Sequence, residues 1–345
     1  MLSALRPTDR HPAAVLADLL PILASLVFLA YFLFVPSVRE PWHFIPFAAS
    51  LLIFGLPHGA LDHLVIARVG DRPLFSGRTI GLLLAYLGAF GVMLGVWAAW
   101  PVAAFAFFIM LTWFHWGQGD AWHVTAGTDA SGGFRIASLV IRGSLPMLVP
   151  LVFFPEVYRE TAMSFLALYG RTDPGLLELA FAPAVRGSVG AAVAAGIIGH
   201  AAHGLRELDA GSARRNLLEL LLLAAFFAVV PPILAIGMYF CFWHAPRHLI
   251  RLDGFLALGR LPRSWPRFGR TMLASLPLTL GALILLGLLY LVQGPRVTTA
   301  MELLALYLVL IAGLTVPHTL VVTALDARQR FWQPSYRGVS VTSTG

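Results

Sequence analysis

The chain has 345 residues, of which 58% are hydrophobic and 12% charged, with a mean hydropathy of +0.79. A soluble globular chain carries about twice that charge, so composition excludes most water-soluble enzymes, disordered proteins and secreted disulfide scaffolds and reads as a polytopic membrane protein. The net charge of +7 comes from 24 arginines and no lysine. These lie between apolar stretches rather than in one patch, a pattern of membrane topology that leaves no footprint for nucleic acid.

A spanning helix needs about 20 mostly apolar residues. Ten such segments run approximately over 13–35, 43–68, 79–100, 101–122, 134–155, 186–206, 215–231, 232–251, 271–292 and 300–325. Prolines mark several joints: Pro36 and Pro41, Pro101, and the pair Pro231 and Pro232, which splits one apolar run into two. The reading is an all-α integral membrane bundle, with one domain over 13–325 between a cytoplasmic segment (1–12) and a cytoplasmic tail (326–345). The first segment is too long for a signal-peptide core and is kept as a helix of the mature protein. The single cysteine, Cys241, can form no intramolecular disulfide.

With the N-terminus inside, the inner segments hold Arg6 and Arg10; Arg68, Arg72 and Arg78; Arg135; Arg206, Arg214 and Arg215; six arginines from Arg247 to Arg270; and Arg328, Arg330 and Arg337. The outer segments hold only Arg39, Arg159, Arg171, Arg186 and Arg296, and Arg142 is left inside a span. This asymmetry predicts both termini in the cytoplasm of a multi-pass protein of the cell's inner membrane. The longest outer connection, 156–185, carries Phe165, Leu166, Leu168, Leu176 and Leu177 among scattered charges and reads as an interfacial helix. Residues 252–270, with Pro262 and Pro266 among arginines, read as a cytoplasmic loop on the lipid surface.

Eleven histidines in so apolar a chain need a reason, because a polar side chain in the bilayer must find a partner or a pathway. Eight sit well inside predicted spans: His58 and His63 in the second, His115 in the fourth, His200 and His203 in the sixth, His244 and His248 in the eighth, and His318 in the tenth. All five segments run from outside to inside, and each histidine falls in the later half of its segment. They therefore share a depth near the cytoplasmic side.

In Cys-Phe-Trp-His-Ala-Pro-Arg-His, the i, i+4 spacing puts His244 and His248 on one helical face, as metal pairs on helices require, and Pro246 between them can bend the turn. In Gly-Leu-Pro-His-Gly-Ala-Leu-Asp-His (55–63), Pro57 frees a backbone carbonyl, and a helix bent there suits a buried ion. His58 is the favoured ligand. Asp62, four residues on, is placed to orient an imidazole of a neighbouring helix. His63 points about 140° away and reads as an interhelical hydrogen-bonding group.

His115, in Trp-Phe-His-Trp-Gly-Gln-Gly-Asp (113–120), has the right depth for a ligand. Its flanking tryptophans, Trp113 and Trp116, read as an interfacial belt, and Asp120 as either a partner of a ligand or a helix-end charge. His200 and His203 bracket two alanines and read as packing or supporting groups. His318, behind Pro317, is a reserve ligand.

Neutral imidazoles suit iron, copper, zinc and nickel. No Walker loop, dinucleotide fingerprint, Ser-His-Asp arrangement or paired intramembrane carboxylates occur, against nucleotide use, acyl transfer and sugar hydrolysis. A buried metal reached from the bilayer, with few acids or bases nearby, suits oxygen chemistry on a lipid-soluble hydrocarbon.

In this order and spacing, Gly-Leu-Pro-His-Gly-Ala-Leu-Asp-His, Phe-His-Trp-Gly and Phe-Trp-His-Ala-Pro-Arg-His resemble the Brp/Blh family of membrane β-carotene 15,15′-dioxygenases, over residues of about 45–325. The resemblance implies a non-haem Fe(2+) centre on His58, His115, His244 and His248, with β-carotene and O₂ as substrates and two retinals as products. It further implies two apolar half-tunnels that set the cleavage position, and a functional link to an opsin. Two other classes remain open on the residues alone. A di-iron membrane desaturase or hydroxylase also uses helix-borne histidines but typically needs several clusters. A transporter or haem-binding protein would use paired histidines without chemistry.

Overall fold

A computed structural model describes residues 12–36, 41–256 and 267–333, and among them the chain is helical throughout with no strand. Arg6, Arg10, Arg39, Arg260, Pro262, Arg263, Pro266 and Arg337, which entered the topology reading, lie outside the described residues. Helices occupy every predicted segment. In order they are α1 (Pro12–Phe34), α2 (Ile45–Leu52), α3 (Gly55–Gly59), α4 (Asp62–Val69), α5 (Gly77–Ala99), α6 (Pro101–Thr125), α7 (Gly132–Phe153) and α8 (Pro155–Leu168). They continue with α9 (Glu178–Phe181), α10 (Pro183–Glu207), α11 (Ala210–Val229), α12 (Pro232–Met238), α13 (Ala245–Leu256), α14 (Arg267–Gln293) and α15 (Ala300–Arg328).

Among the described residues, five helices are long and apolar enough to cross a membrane: α5, α7, α10, α15 and, over Gly269–Arg296, the run containing α14. Their burial sorts them. α7 and α15 bury 56% and 61% of their apolar windows, whereas α5, α10 and α14 bury 17%, 11% and 11%. The first pair therefore forms the interior, and the other three present Leu, Ile and Val side chains outward as a lipid-facing wall.

Sequence sets the element ends locally. Ser76 and Ser131 cap α5 and α7 by accepting from the N–H of Thr79 and Phe134. Proline begins α6, α8, α10 and α12. Thr299 and Glu302 form a capping box at the start of α15, the helix that carries His318.

Two segments depart from expectation. The second span is not one helix: it breaks at Ile53–Phe54 and again at Ala60–Leu61 into α2, α3 and α4. Pro57 has no N–H for the Ile53 carbonyl, so the first break falls one turn before it. The outer connection does not lie flat on the bundle as an interfacial helix. Val157, Phe165, Leu166 and Leu168 of α8 are buried, and Phe165 stacks on Trp97 of α5 with ring centroids 5.1 Å apart. Only Leu176 of the apolar residues predicted there is fully exposed, at 80%.

The interior also holds charge that the topology count treated as surface. Arg135 is fully buried and donates to the carbonyls of Phe331 and Gln333 at 2.8 and 2.7 Å. Arg142, the arginine left inside a span, pairs with Glu219 at 2.8 Å and with Asn216 Oδ1 at 2.7 Å. Arg247 shares Glu219 at 2.9 Å and lies 3.6 Å from Asp120. Arg251 pairs with Asp326, which also accepts from Gln118 at 2.8 Å. Each guanidinium meets an anion or carbonyls, as an apolar interior demands.

Candidate metal centre

The breaks in the second segment aim His58 inward. The α3 turn brings its Nδ1 against the Gly55 carbonyl three residues back, so that nitrogen carries the proton and Nε2 presents the lone pair. His63 makes the same bond to the Ala60 carbonyl, at 2.8 Å. It lines the adjoining cavity without joining the imidazole cluster.

On α6, His115 is buried between two tryptophans with different tasks. Trp113 donates its indole N–H across to the Val140 carbonyl of α7 at 2.7 Å. Trp116 is buried and packs on Tyr239, Phe240 and His244 with centroids 5.0, 5.9 and 5.7 Å away. Trp116 therefore packs inside the bundle rather than in an interfacial belt, while Trp113 is half-buried. Two glycines bring α6 and α7 into near backbone contact: a Cβ on Gly117 would run into the Leu139 carbonyl, and one on Gly143 into the Trp113 carbonyl.

Between α12 and α13 the chain widens into a π-helical turn, Tyr239–His244. Such bulges are frequent at functional sites, where the extra residue re-aims side chains without breaking the helix. Pro246, second in α13, lacks the N–H that would bond back into this turn. His244 and His248 emerge with rings parallel within 6° and centroids 6.2 Å apart.

Five imidazoles converge. His115 and His244 face each other Nε2 to Nε2 at 3.2 Å. With His58 they offer nitrogens all within 4.8 Å of one another. The ring of His248 lies 5.6 Å from that of His58 and 6.2 Å from that of His115. His318 lies 4.7 Å from His115 and 5.0 Å from His58. Asp62 accepts from His318 Nδ1, with its oxygens 2.8 and 2.9 Å away, and from the Tyr86 hydroxyl at 3.0 Å.

The other histidines and acids singled out from the sequence stand elsewhere. His200 stacks on Phe134 and contacts Asn216, and His203 pairs with Glu207. Asp120 accepts from Tyr239 at 3.0 Å and belongs to the Arg142–Arg247–Glu219 group behind His244. Sequence reading missed Tyr86 and Glu219. Glu219 had a signal, as an acid in an apolar segment that needs a cation such as Arg142; Tyr86 had none.

The donor set fits a cation. Both nitrogens of His248 and Nε2 of His318 are buried without a hydrogen-bond partner, and the Nε2 atoms of His115 and His244 meet each other. Each such atom costs roughly 1–3 kcal/mol if nothing meets it, and a divalent transition metal is what neutral imidazoles bind. The cluster opens on an apolar cavity of about 700 Å³, lined among others by Leu56, Phe105, Phe108, Phe165, Leu304 and Ile311. Of the three threonines that line it, Thr161 and Thr315 give their hydroxyls to their own helix at Val157 and Ile311, so these two present little polarity.

A family model described as "Beta-carotene 15,15'-dioxygenase" matches residues 49–326. The chain is 38% identical over 341 residues to "Probable beta-carotene 15,15'-dioxygenase Blh" of Halobacterium salinarum, covering 94% of this chain and 95% of that one. It is 29% identical to "Probable beta-carotene 15,15'-dioxygenase Brp" of the same species, over 59% of this chain and 56% of that one. To "Beta-carotene 15,15'-dioxygenase" of an uncultured marine bacterium it is 25% identical, over 58% and 66%. No solved structure matches the chain.

Proposed function

We propose that this chain, which belongs to the β-carotene 15,15′-dioxygenase family, carries out that family's reaction at the five-histidine centre. The reaction splits the central double bond of the carotenoid and gives two retinals. One alkene and one dioxygen balance two aldehydes, with no proton or external reductant consumed. A site poor in free acids and bases therefore suits it.

The observation that carries this reading is the cluster of buried imidazoles opening directly on a large apolar cavity. His58, His115, His244 and His248 are the proposed ligands of one ferrous ion. Iron held by neutral imidazoles supplies the one-electron chemistry that lets dioxygen react with a closed-shell alkene. The supporting roles go to Asp62, which orients a neighbouring imidazole, and to Asp120, which anchors the helix behind His244 through Tyr239.

The chain's own contribution is positioning and dryness. Along α15 the cavity runs from Leu304 to His318, roughly 20 Å at 1.5 Å per residue. Along α6 it runs from Phe105 to Trp116, and Leu74, Phe75 and Ile80 line it near the start of α5. The centre thus opens on apolar lining, and in this reading the middle of a long polyene lies along it against the imidazoles. Apolar walls keep water from the reacting carbons.

The same reading places ten crossings in the cell's inner membrane, with both termini cytoplasmic and the histidines toward the inner side. Retinal released there is available to an opsin in the same bilayer. The test is expression in cells that accumulate β-carotene: colour should fade while retinal accumulates. Unchanged carotenoid with the protein inserted would overturn the reading.

A further inference from the structure

We infer that His318 is a fifth protein ligand of the same centre, held in its ligating form by Asp62 and Tyr86. The inference rests on the metal-centre reading above and extends it to a residue on the last helix.

The geometry is specific to this ring. Its centroid lies 4.7 Å from His115, 5.0 Å from His58 and 5.3 Å from His248, as close to these three as they lie to one another. Its Nδ1 stands 2.9 and 2.8 Å from the two oxygens of Asp62. A ring nitrogen in front of a carboxylate carries the proton, so in the neutral ring Nε2 carries the lone pair. That Nε2 is buried and has no hydrogen-bond partner in the protein.

No other imidazole of the cluster is backed this way. His58 gives its Nδ1 proton to a neutral carbonyl, and the Nδ1 atoms of His115, His244 and His248 meet no acceptor. A carboxylate behind a ligating imidazole fixes the ring and strengthens its donor nitrogen. Asp62 is itself pinned from the other side by the Tyr86 hydroxyl at 3.0 Å.

Charge gives a second argument. A divalent ion among neutral ligands brings two positive charges into an apolar interior, which is costly unless an anion stands near. Asp62 is 3% exposed and is the carboxylate in contact with a cluster imidazole. It offsets part of that charge without entering the coordination shell. A hydrocarbon substrate has no lone-pair donor, so it competes for no coordination position, and a fifth protein ligand is compatible with turnover. The pair also joins residues 256 positions apart, so the ion would close α4 onto α15.

The test uses full-length protein purified in detergent and loaded anaerobically with ferrous iron alone, then with Co(2+) as a spectroscopic probe. Wild type should bind one iron per chain. His318→Gln should lower iron affinity at least tenfold and change the visible Co(2+) spectrum, because the coordination number falls. Asp62→Asn keeps the shape and removes the charge; it should lower affinity by about 10- to 100-fold. Tyr86→Phe should cost a few fold. His318→Gly should regain affinity on addition of free imidazole, a rescue that a merely structural histidine would not show. Wild type that takes up no iron would overturn the metal-centre reading and this inference with it. Wild type that loads, with His318→Gln and Asp62→Asn loading equally well and the Co(2+) spectrum unchanged, would overturn this inference alone.

Discussion

The Nε2 atoms of His115 and His244 face each other at 3.2 Å, one from the second half of α6 and the other from the end of the π-helical turn. Two imidazoles in that arrangement either share one proton or share one cation. With His58 offering a third nitrogen within 4.8 Å of the other two, a shared cation engages more of the site than a shared proton does.

His244→Ala and His115→Ala should each abolish retinal formation, a loss of at least a hundredfold, and each should bring bound iron well below one per chain. Both variants should still insert, because the helices that carry them are held by apolar packing elsewhere. Retinal extraction and iron analysis on the same membranes check this. Full turnover in either variant would remove that residue from the centre. Two irons in the wild type would favour a di-iron oxygenase instead.

The glycines of α6 separate packing from chemistry. A methyl on Gly117 would overlap the Leu139 backbone, so Gly117→Ala should force α6 from α7 and destabilise the protein by ~1–3 kcal/mol or more. A methyl on Gly119 would stand 3.2 Å from the His244 ring, which can shift by a few tenths of an ångström. Gly119→Ala should therefore melt near the wild-type temperature yet lose activity severalfold. Thermal melts in detergent beside retinal yield decide it. Equal melting of both variants would show that α6 and α7 can separate freely.

Ile311 lines the cavity on α15 between Leu304 and His318. Ile311→Trp should fill that arm and lower β-carotene cleavage at least tenfold, with iron content unchanged, because no ligand is touched. Wild-type turnover by this variant would mean that the polyene lies elsewhere.

How much of this was legible in the sequence depends on the range of each interaction. The HxxxH pair, the Pro57 bend and the common depth of the histidines are local or topological, so the residues that converge could be named from spacing. The π-helical turn is legible only in part: Pro246 marks a bend between the two histidines, but not that the turn widens by one residue where Tyr239 packs on Trp116. The ranking of His318 as a reserve also had a physical cause. Spacing marks Asp62 as a residue that orients an imidazole of a neighbouring helix but not which one, because its partner lies 256 residues away. The helix over 155–168 was misplaced because an amphipathic outer segment reads alike whether its apolar face meets lipid or Trp97.

Glu219 is the last case, where charge and not packing decides. It is buried, accepts from Arg142 at 2.8 Å, Arg247 at 2.9 Å and the Trp243 indole at 3.4 Å, and shares the two arginines with Asp120. Two cations against two anions leave the group neutral. Glu219→Gln would leave Asp120 alone against two guanidiniums in an apolar interior, a loss of about 3–5 kcal/mol by the usual cost of breaking a buried pair. Arg247 lies between the proposed ligands His244 and His248 in sequence, so its displacement should also spread the two rings. The expected result is a variant that inserts in lower yield, melts earlier and binds iron more weakly. A variant that melts at the wild-type temperature would show that water, not protein, neutralises the site.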